Sequence, residues 1–283
     1  MDKRRLEENF FKALMYISTF LVLGSLAYIL AMILVKGLPA LTWGMLTQTP
    51  QGGYYIGKGG GILNAILGSL YLGLGSTFLA LLVSLPIAFY LNLYLKKKSR
   101  LAVVIRFALD VLWGIPSVVY GAFGFTLMIF FGLQASLLAG MITIALLILP
   151  IMTRSIDEVL KMIPLELQEA ALSLGSTKLE MAFKVIFKQA IPGIVTAVLM
   201  AFGRGISDAA AVLFTAGFTD SLPHSLFKPV ATLPLSVFFQ LGTPFPEVQQ
   251  RGYASALVLT AIVLTLSILS RALSKRFTKH ILK

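Results

Sequence analysis

Apolar residues along this chain gather into six long runs, separated by polar segments or by segments rich in glycine and proline. A helix needs about 20 apolar residues to cross the hydrocarbon core of a bilayer. Runs of that order occupy residues 13–35, 66–91, 107–131, 135–152, 191–218 and 253–269. The pattern predicts an all-α, polytopic membrane protein: six transmembrane helices in a single transmembrane domain over residues 1–283. After the first run comes Lys36-Gly37-Leu38-Pro39 rather than a small-residue cleavage site, so the run reads as a retained anchor and not as a removable signal peptide.

The interruptions carry information as well. Residues 36–64 form a turn-rich loop with Pro39, Pro50, Gly52-Gly53 and Gly59-Gly60-Gly61. The second run holds Pro86 among the small residues Gly68, Ser69, Gly73, Gly75, Ser76 and Ser84, a composition that favours close helix packing and a kink. Pro116 in the third run breaks the hydrogen-bond ladder near mid-membrane, which is tolerated only inside a bundle. Residues 154–190 are polar enough to lie outside the lipid yet helical in pattern. There Ile156, Val159, Leu160 and Ile163 recur at helical spacing, Pro164 resets the chain, and Leu167, Ala170, Ala171 and Leu174 continue the apolar side up to Gly175. The apolar stretch 233–241 is too short to span and is expected at the outer surface.

Composition settles the solvent. With 57% hydrophobic and 13% charged residues, and a mean hydropathy of +0.87, the chain belongs in lipid. A net charge of +12 would be a nucleic-acid footprint in a soluble protein; here it reports topology, and no nucleic-acid partner is expected. Cations crowd the segments taken as inner: Lys3, Arg4, Arg5 and Lys12, then Lys96, Lys97, Lys98, Arg100 and Arg106, then Arg154, Lys161, Lys178, Lys184 and Lys188, and finally Arg271, Lys275, Arg276, Lys279 and Lys283. The outer segments hold Lys36, Lys58, Lys228 and Arg251. The positive-inside rule then puts both termini in the cytoplasm. The chain has no cysteine, so it offers no disulfide or thiolate-metal chemistry.

Two places carry candidate chemistry. In Glu169-Ala170-Ala171, the alanines let another surface approach the backbone and the glutamate can meet a basic residue, while Gly175 permits a sharp reversal. From these residues alone, docking to a partner and an amphipathic helix resting on the membrane surface are both open. Arg204 and Asp208 stand four apart in the fifth run, one helical turn, and the same stripe continues to Ala211 and Thr215. An unpaired guanidinium costs at least about 3 kcal/mol in hydrocarbon. Arg204 therefore needs a partner, a wet cavity or a visiting anion, and its planar fork suits phosphate. An intrahelical ion pair and a transport site both satisfy that spacing.

Other candidates are weaker. Asp110 is expected to pair with Arg106 one turn earlier. Gly52 with Gly57-Lys58 matches part of a nucleotide-binding loop but lacks the following Ser or Thr and a preceding strand. His224 and His280 are isolated from acidic clusters, so no metal site is expected, and no nucleophile–base arrangement points to an enzyme.

Several stretches resemble one family. Glu169-Ala170-Ala171, Gly175, Val185 and Phe187 are similar to the "EAA, three residues, G, nine residues, I-x-L-P" signature of permease subunits in ATP-binding-cassette importers, with Lys188 in place of the proline. Gly59-Gly60-Gly61-Ile62 with Gly68-Ser69-Leu70, and Gly114-Ile115-Pro116-Ser117 with Gly121 and Phe123, resemble blocks of the phosphate-specific members. So does the outer stretch Pro229-Val230-Ala231-Thr232-Leu233-Pro234 with Gln249-Gln250 and Tyr253-Ala254. Residues 204–214 resemble the block "R-x-x-G-E-T-x-P-L-L-F", with Ser207 for glycine, Asp208 for glutamate, and Ala209 and Ala211 for Thr and Pro.

The resemblance implies a type I importer permease in the cytoplasmic (inner) membrane that carries inorganic phosphate by alternating access; sulfate, molybdate or tungstate is the alternative cargo. It implies a coupling helix built on Pro164, Leu167, Glu169, Ala170, Ala171 and Gly175, and a substrate path at Arg204, Asp208 and Thr215. The implied partners are a second related permease, a dimeric ATPase and an extracytoplasmic phosphate-binding protein. ATP and Mg would be bound by the ATPase and no cofactor by this chain, which would be a transport subunit and not an enzyme. A membrane enzyme acting on a lipid phosphate would need a metal-spaced acidic cluster, and a passive channel would need no coupling segment.

Overall fold

The computed structural model describes residues 3–51, 59–95 and 99–278. The loop pattern at Gly52 and Gly57-Lys58 lies outside these residues, as do Lys96, Lys97, Lys98, Lys279, His280 and Lys283. Eleven α-helices fill the described chain, and one isolated bridge, Pro50 with Gly60, is its nearest approach to a sheet.

The first helix, α1 (Lys3–Gly37), stands apart, and the window of it that is apolar enough to span buries nothing inside the protein. Only its end docks, where Lys36 lies 5.0 Å from the ring centre of Tyr253. After the short α2 (Trp43–Thr47), capped by the Thr42 hydroxyl, comes α3 (Leu63–Phe89). Its buried positions include Ser69, Gly73, Ser76, Thr77, Ala80, Ser84 and Ala88. Spaced three and four apart, they form a stripe of small side chains that lets neighbouring backbones approach closely. The Ser84 hydroxyl donates across that seam to the Leu149 carbonyl at 3.3 Å. Beyond Pro86 the helix loosens into a π-helical turn, Tyr90–Tyr94, before it ends.

The run at 107–131 is two helices and not one. Helix α4 (Arg100–Trp113) and α5 (Ser117–Phe130) meet at 99° across Gly114–Pro116. The proline cannot continue the ladder, and two 14-residue helices of about 21 Å each are both too short to cross the bilayer alone. The hydroxyl of Tyr120 braces the angle by donating to the Leu112 carbonyl at 2.8 Å.

Helix α6 (Leu137–Lys161) is the central post, the most buried of the candidate spans, packed against α3, α4 and α5. It runs nine residues beyond the 135–152 expected, into the segment read as extramembrane. Then come α7 (Leu165–Ser173), the one-turn α8 (Lys178–Met181), a π-helical turn at Ala182–Ile186, and α9 (Phe187–Ile206).

Here the expected run 191–218 is corrected, because α9 stops at Ile206. The Ser207 hydroxyl donates back to the Gly203 and Arg204 carbonyls, and the Asp208 carboxylate takes the Ala211 N–H at 2.9 Å, which starts a separate turn. Short polar side chains that compete for backbone groups in this way end helices. The chain after Asp208 then serves α6. Thr215, Lys228 and Leu226 offer carbonyls to the N–H groups of Ser136, Leu137 and Leu138, satisfying donors that a helix start leaves orphaned.

The stretch 233–241 also departs from expectation. It forms α10 (Leu233–Leu241), but Leu233, Pro234, Leu235, Ser236 and Gln240 are buried against α3 and α11 (Pro246–Thr278). The Ser69 hydroxyl accepts the Leu233 N–H at 2.8 Å, and Thr232 caps the next donor, so the segment is paid into the core through hydrogen bonds made on both sides of its start. Among the described residues five helices can cross a membrane by length and composition, and the bent α4–α5 pair makes a sixth if it counts as one span.

Candidate functional site

Three groups of residues matter: an exposed elbow at α7, the end of α9, and an ion cluster that ties α6 to its neighbours.

The elbow begins where α6 ends. Pro164, in extended conformation, precedes α7, and Gly175 closes it with φ +82°. A Cβ at Gly175 would meet nothing within 4 Å, so the glycine answers to backbone conformation alone. Ala171 is buried and Leu167 half-buried against the body, whereas Glu169 and Ala170 face outward. Leu174 is 87% exposed. The expected continuous apolar side is therefore split: Ala171 and Leu167 anchor the helix, and Ala170 and Leu174 belong to its free face. The turn after Gly175 is held by side-chain hydrogen bonds. Thr177 and Glu180 form a reciprocal capping box, and the Glu180 carboxylate accepts the Thr177 N–H at 3.0 Å.

At the end of α9, Arg204 and Asp208 come together, with Nη2 to Oδ2 at 3.4 Å. They do so across a helix end and not along one face. The Asp208 carboxyl is 4% exposed and engaged as a cap, while the Arg204 side chain is 50% exposed. Thr215, fully buried, donates to the Ala211 carbonyl at 3.3 Å. It lies within the turn behind Asp208, so it supports the segment and is not presented beside Arg204. Met200, one turn before Arg204, is also exposed, as is Ser207. A groove of about 640 Å³ between α9 and α11, lined by Thr196, Met200, Gly203, Ser267, Ser270 and Arg271 among others, runs along the flank of this face without including Arg204.

Removing the cap tests its role. Asp208→Ala is expected to cost about 1 kcal/mol of stability, measured by thermal unfolding of the purified protein in detergent, and Asp208→Asn, whose amide oxygen still accepts, is expected to cost less.

Sequence reasoning missed the third group. Asp110 does not pair with Arg106: it accepts from Arg154 Nε at 2.7 Å. Arg106 turns instead to Asp157 on α6, donating from Nε at 3.0 Å and from Nη2 at 2.9 Å. Asp157 is fully buried, and a buried carboxylate is stable only when its charge and lone pairs are met. A bidentate guanidinium from another helix meets them better than a neighbour one turn away can. The one available signal was Asp157 itself, an acid between the apolar positions Ile156 and Leu160 and so too close to the buried stripe to be solvated.

A family model described as the binding-protein-dependent transport system inner membrane component matches residues 80–283. The chain belongs to this family. The matched region contains all three groups. Among curated relatives, the phosphate transport system permease protein PstA of Haemophilus influenzae is 33% identical, over 95% of this chain and 94% of that protein. The protein of the same name from Yersinia pestis is 35% identical, over 88% of this chain and 83% of its own length. Among solved structures, an inward-facing form of the MetNI methionine ABC transporter matches with a TM-score of 0.62 at 16% identity, covering 76% of this chain and 95% of that one. At that identity the likeness carries the fold, which is that of a type I importer permease. This member of the binding-protein-dependent family is accordingly a multi-pass membrane protein and a transport subunit.

Proposed function

We propose that this chain is the permease subunit of an ATP-driven importer that moves inorganic phosphate across the cytoplasmic membrane by alternating access. The observation that carries the substrate is Arg204: a half-exposed guanidinium at the broken end of a membrane helix, whose nearby acid is already engaged as a cap. Among the described residues Asp208 is the one ion-pair partner of Arg204, which leaves most of its five donors for a visiting oxyanion. The relatives named above as phosphate transport permeases narrow that oxyanion to phosphate. Such a site must hold the ion weakly enough to release it.

The exposed elbow supports the drive. Glu169, Ala170 and Leu174 face away from the body on a short helix set between two defined turns, and this helix would dock into a dimeric ATPase. ATP and its Mg would be held and hydrolysed there, with no cofactor on this chain. A second related permease would complete the path, and an extracytoplasmic binding protein would deliver phosphate. Both termini would lie in the cytoplasm, as the distribution of Lys and Arg favours.

Substrate identity is tested by uptake of labelled phosphate into cells that depend on this system, with excess unlabelled phosphate, sulfate, molybdate or tungstate as competitor. Only phosphate is expected to compete. Suppression by sulfate or molybdate at equal concentration would reassign the cargo.

A further inference from the structure

The Asp157 cluster is more than a satisfied buried charge, because of what it joins. Oδ1 accepts from Arg106 Nη2 at 2.9 Å and Asn92 Nδ2 at 2.8 Å. Oδ2 accepts from Arg106 Nε at 3.0 Å, Arg154 Nη1 at 2.7 Å and Lys161 Nζ at 2.8 Å. These donors come from the π-helical turn that ends α3, from α4, and from α6 itself, so one carboxylate fastens three elements. Only Met162, Ile163 and Pro164 separate Lys161 from the start of α7 at Leu165. A cavity of about 310 Å³ separates the first turn of α7 from the cluster, with Leu165 and Gln168 on one wall and Asn92, Arg106 and Lys161 on the other. The short joint with α6 is thus the covalent path from α7 to the cluster.

From the cluster a chain of contacts continues to Arg204. Arg154 also holds Asp110, near the far end of α4. The 99° angle between α4 and α5 is braced by Tyr120 on Leu112. Gly121 on α5 packs on the backbone after Asp208, and a Cβ there would stand 2.8 Å from the Ala210 carbonyl oxygen and 3.0 Å from that of Ala211. The Ala211 N–H is the one Asp208 holds, and the other Asp208 carboxylate oxygen lies 3.4 Å from Arg204 Nη2. Contiguous packed and hydrogen-bonded elements of this kind can carry coupling between distant sites.

We infer that Asp157 is a positioning residue for transport, the knot that makes α6, α4 and the end of α3 move together so that displacement of α7 reaches the Arg204 site. The inference rests on the proposed role of α7 and adds to it the route inward.

The test uses the whole complex of both permeases and the ATPase, reconstituted in vesicles with the binding protein. Asp157→Asn is compared with the paired variant Arg106→Gln/Asp157→Asn, which leaves no buried unpaired charge on that pair, and with Tyr120→Phe, which unbraces the angle. Assembled complex, binding-protein-stimulated ATP hydrolysis and phosphate accumulated per ATP are measured in each. The expected result is a fall in phosphate per ATP of about fivefold or more for both Asp157 variants, and a smaller fall for Tyr120→Phe, with assembly and hydrolysis near wild type. An unchanged ratio would overturn the inference, as would failure of both Asp157 variants to assemble, since either makes the knot purely structural. A Glu169→Lys control separates the two claims: if that variant also keeps the wild-type ratio, the role of α7 fails, whereas its loss beside an intact Asp157 variant sinks the route alone.

Discussion

Glu169→Lys is expected to leave the permease inserted and assembled while cutting ATP-driven uptake at least about a hundredfold. Like charges brought together in an interface cost several kcal/mol, and the free face of α7 presents Glu169 outward beside Ala170. Among the described residues no hydrogen bond or ion pair engages the Glu169 carboxylate, so its loss should not disturb the fold. Gly175 offers a second handle on the same elbow. A Cβ there has open space, but φ is +82°, a conformation that costs an ordinary residue about 1–2 kcal/mol and a β-branched one more. Gly175→Val should therefore impair uptake strongly and Gly175→Asn mildly. Parallel measurement of uptake and of ATP hydrolysis by the purified complex checks both, and normal ATP-driven uptake by Glu169→Lys would end the docking account.

Arg204→Gln should lower phosphate transport about ten- to a hundredfold with little change in the amount of complex formed. A hydrogen bond to a charged group contributes about 1.5–3 kcal/mol, which corresponds to that range. Assembly should survive because the side chain is half exposed and its pairing with Asp208 is long, at 3.4 Å. Asp208 keeps its bond to Ala211 whether or not the guanidinium is present. Arg204→Lys should fall between the two, since it keeps the charge but loses the planar fork. Transport and assembly measured on the same preparations distinguish this from a folding defect.

The parts of this architecture that were legible in the sequence are those set by local patterns. Apolar runs of spanning length lie over α1, α3, the α4–α5 pair, α6, α9 and α11, and Pro164 and Gly175 mark the two ends of α7 as steric rules require. What escaped is non-local. The helical stripe Arg204, Asp208, Ala211, Thr215 reads on in register past Ile206, yet Ser207 and Asp208 turn their side chains onto the backbone and the helix stops. The third run shows a proline, but the 99° bend depends on how α5 packs against α6 and the turn after Asp208. Spacing offered Arg106 a partner one turn away in Asp110; the structure gives it Asp157, 51 residues distant, because α6 buries that acid completely. Leu233–Leu241 looked like a surface segment because hydropathy cannot register that Ser69, far back on α3, supplies the acceptor that lets it enter the core.

The most direct test of the account is accumulation of labelled phosphate in sealed vesicles containing this permease with the proposed second permease and ATPase, the proposed binding protein on the outer side and ATP on the inner. The account predicts uptake against a gradient that requires ATP and is lost when Glu169→Lys replaces the native chain. Vesicles that take up no more phosphate with ATP than without it would contradict it.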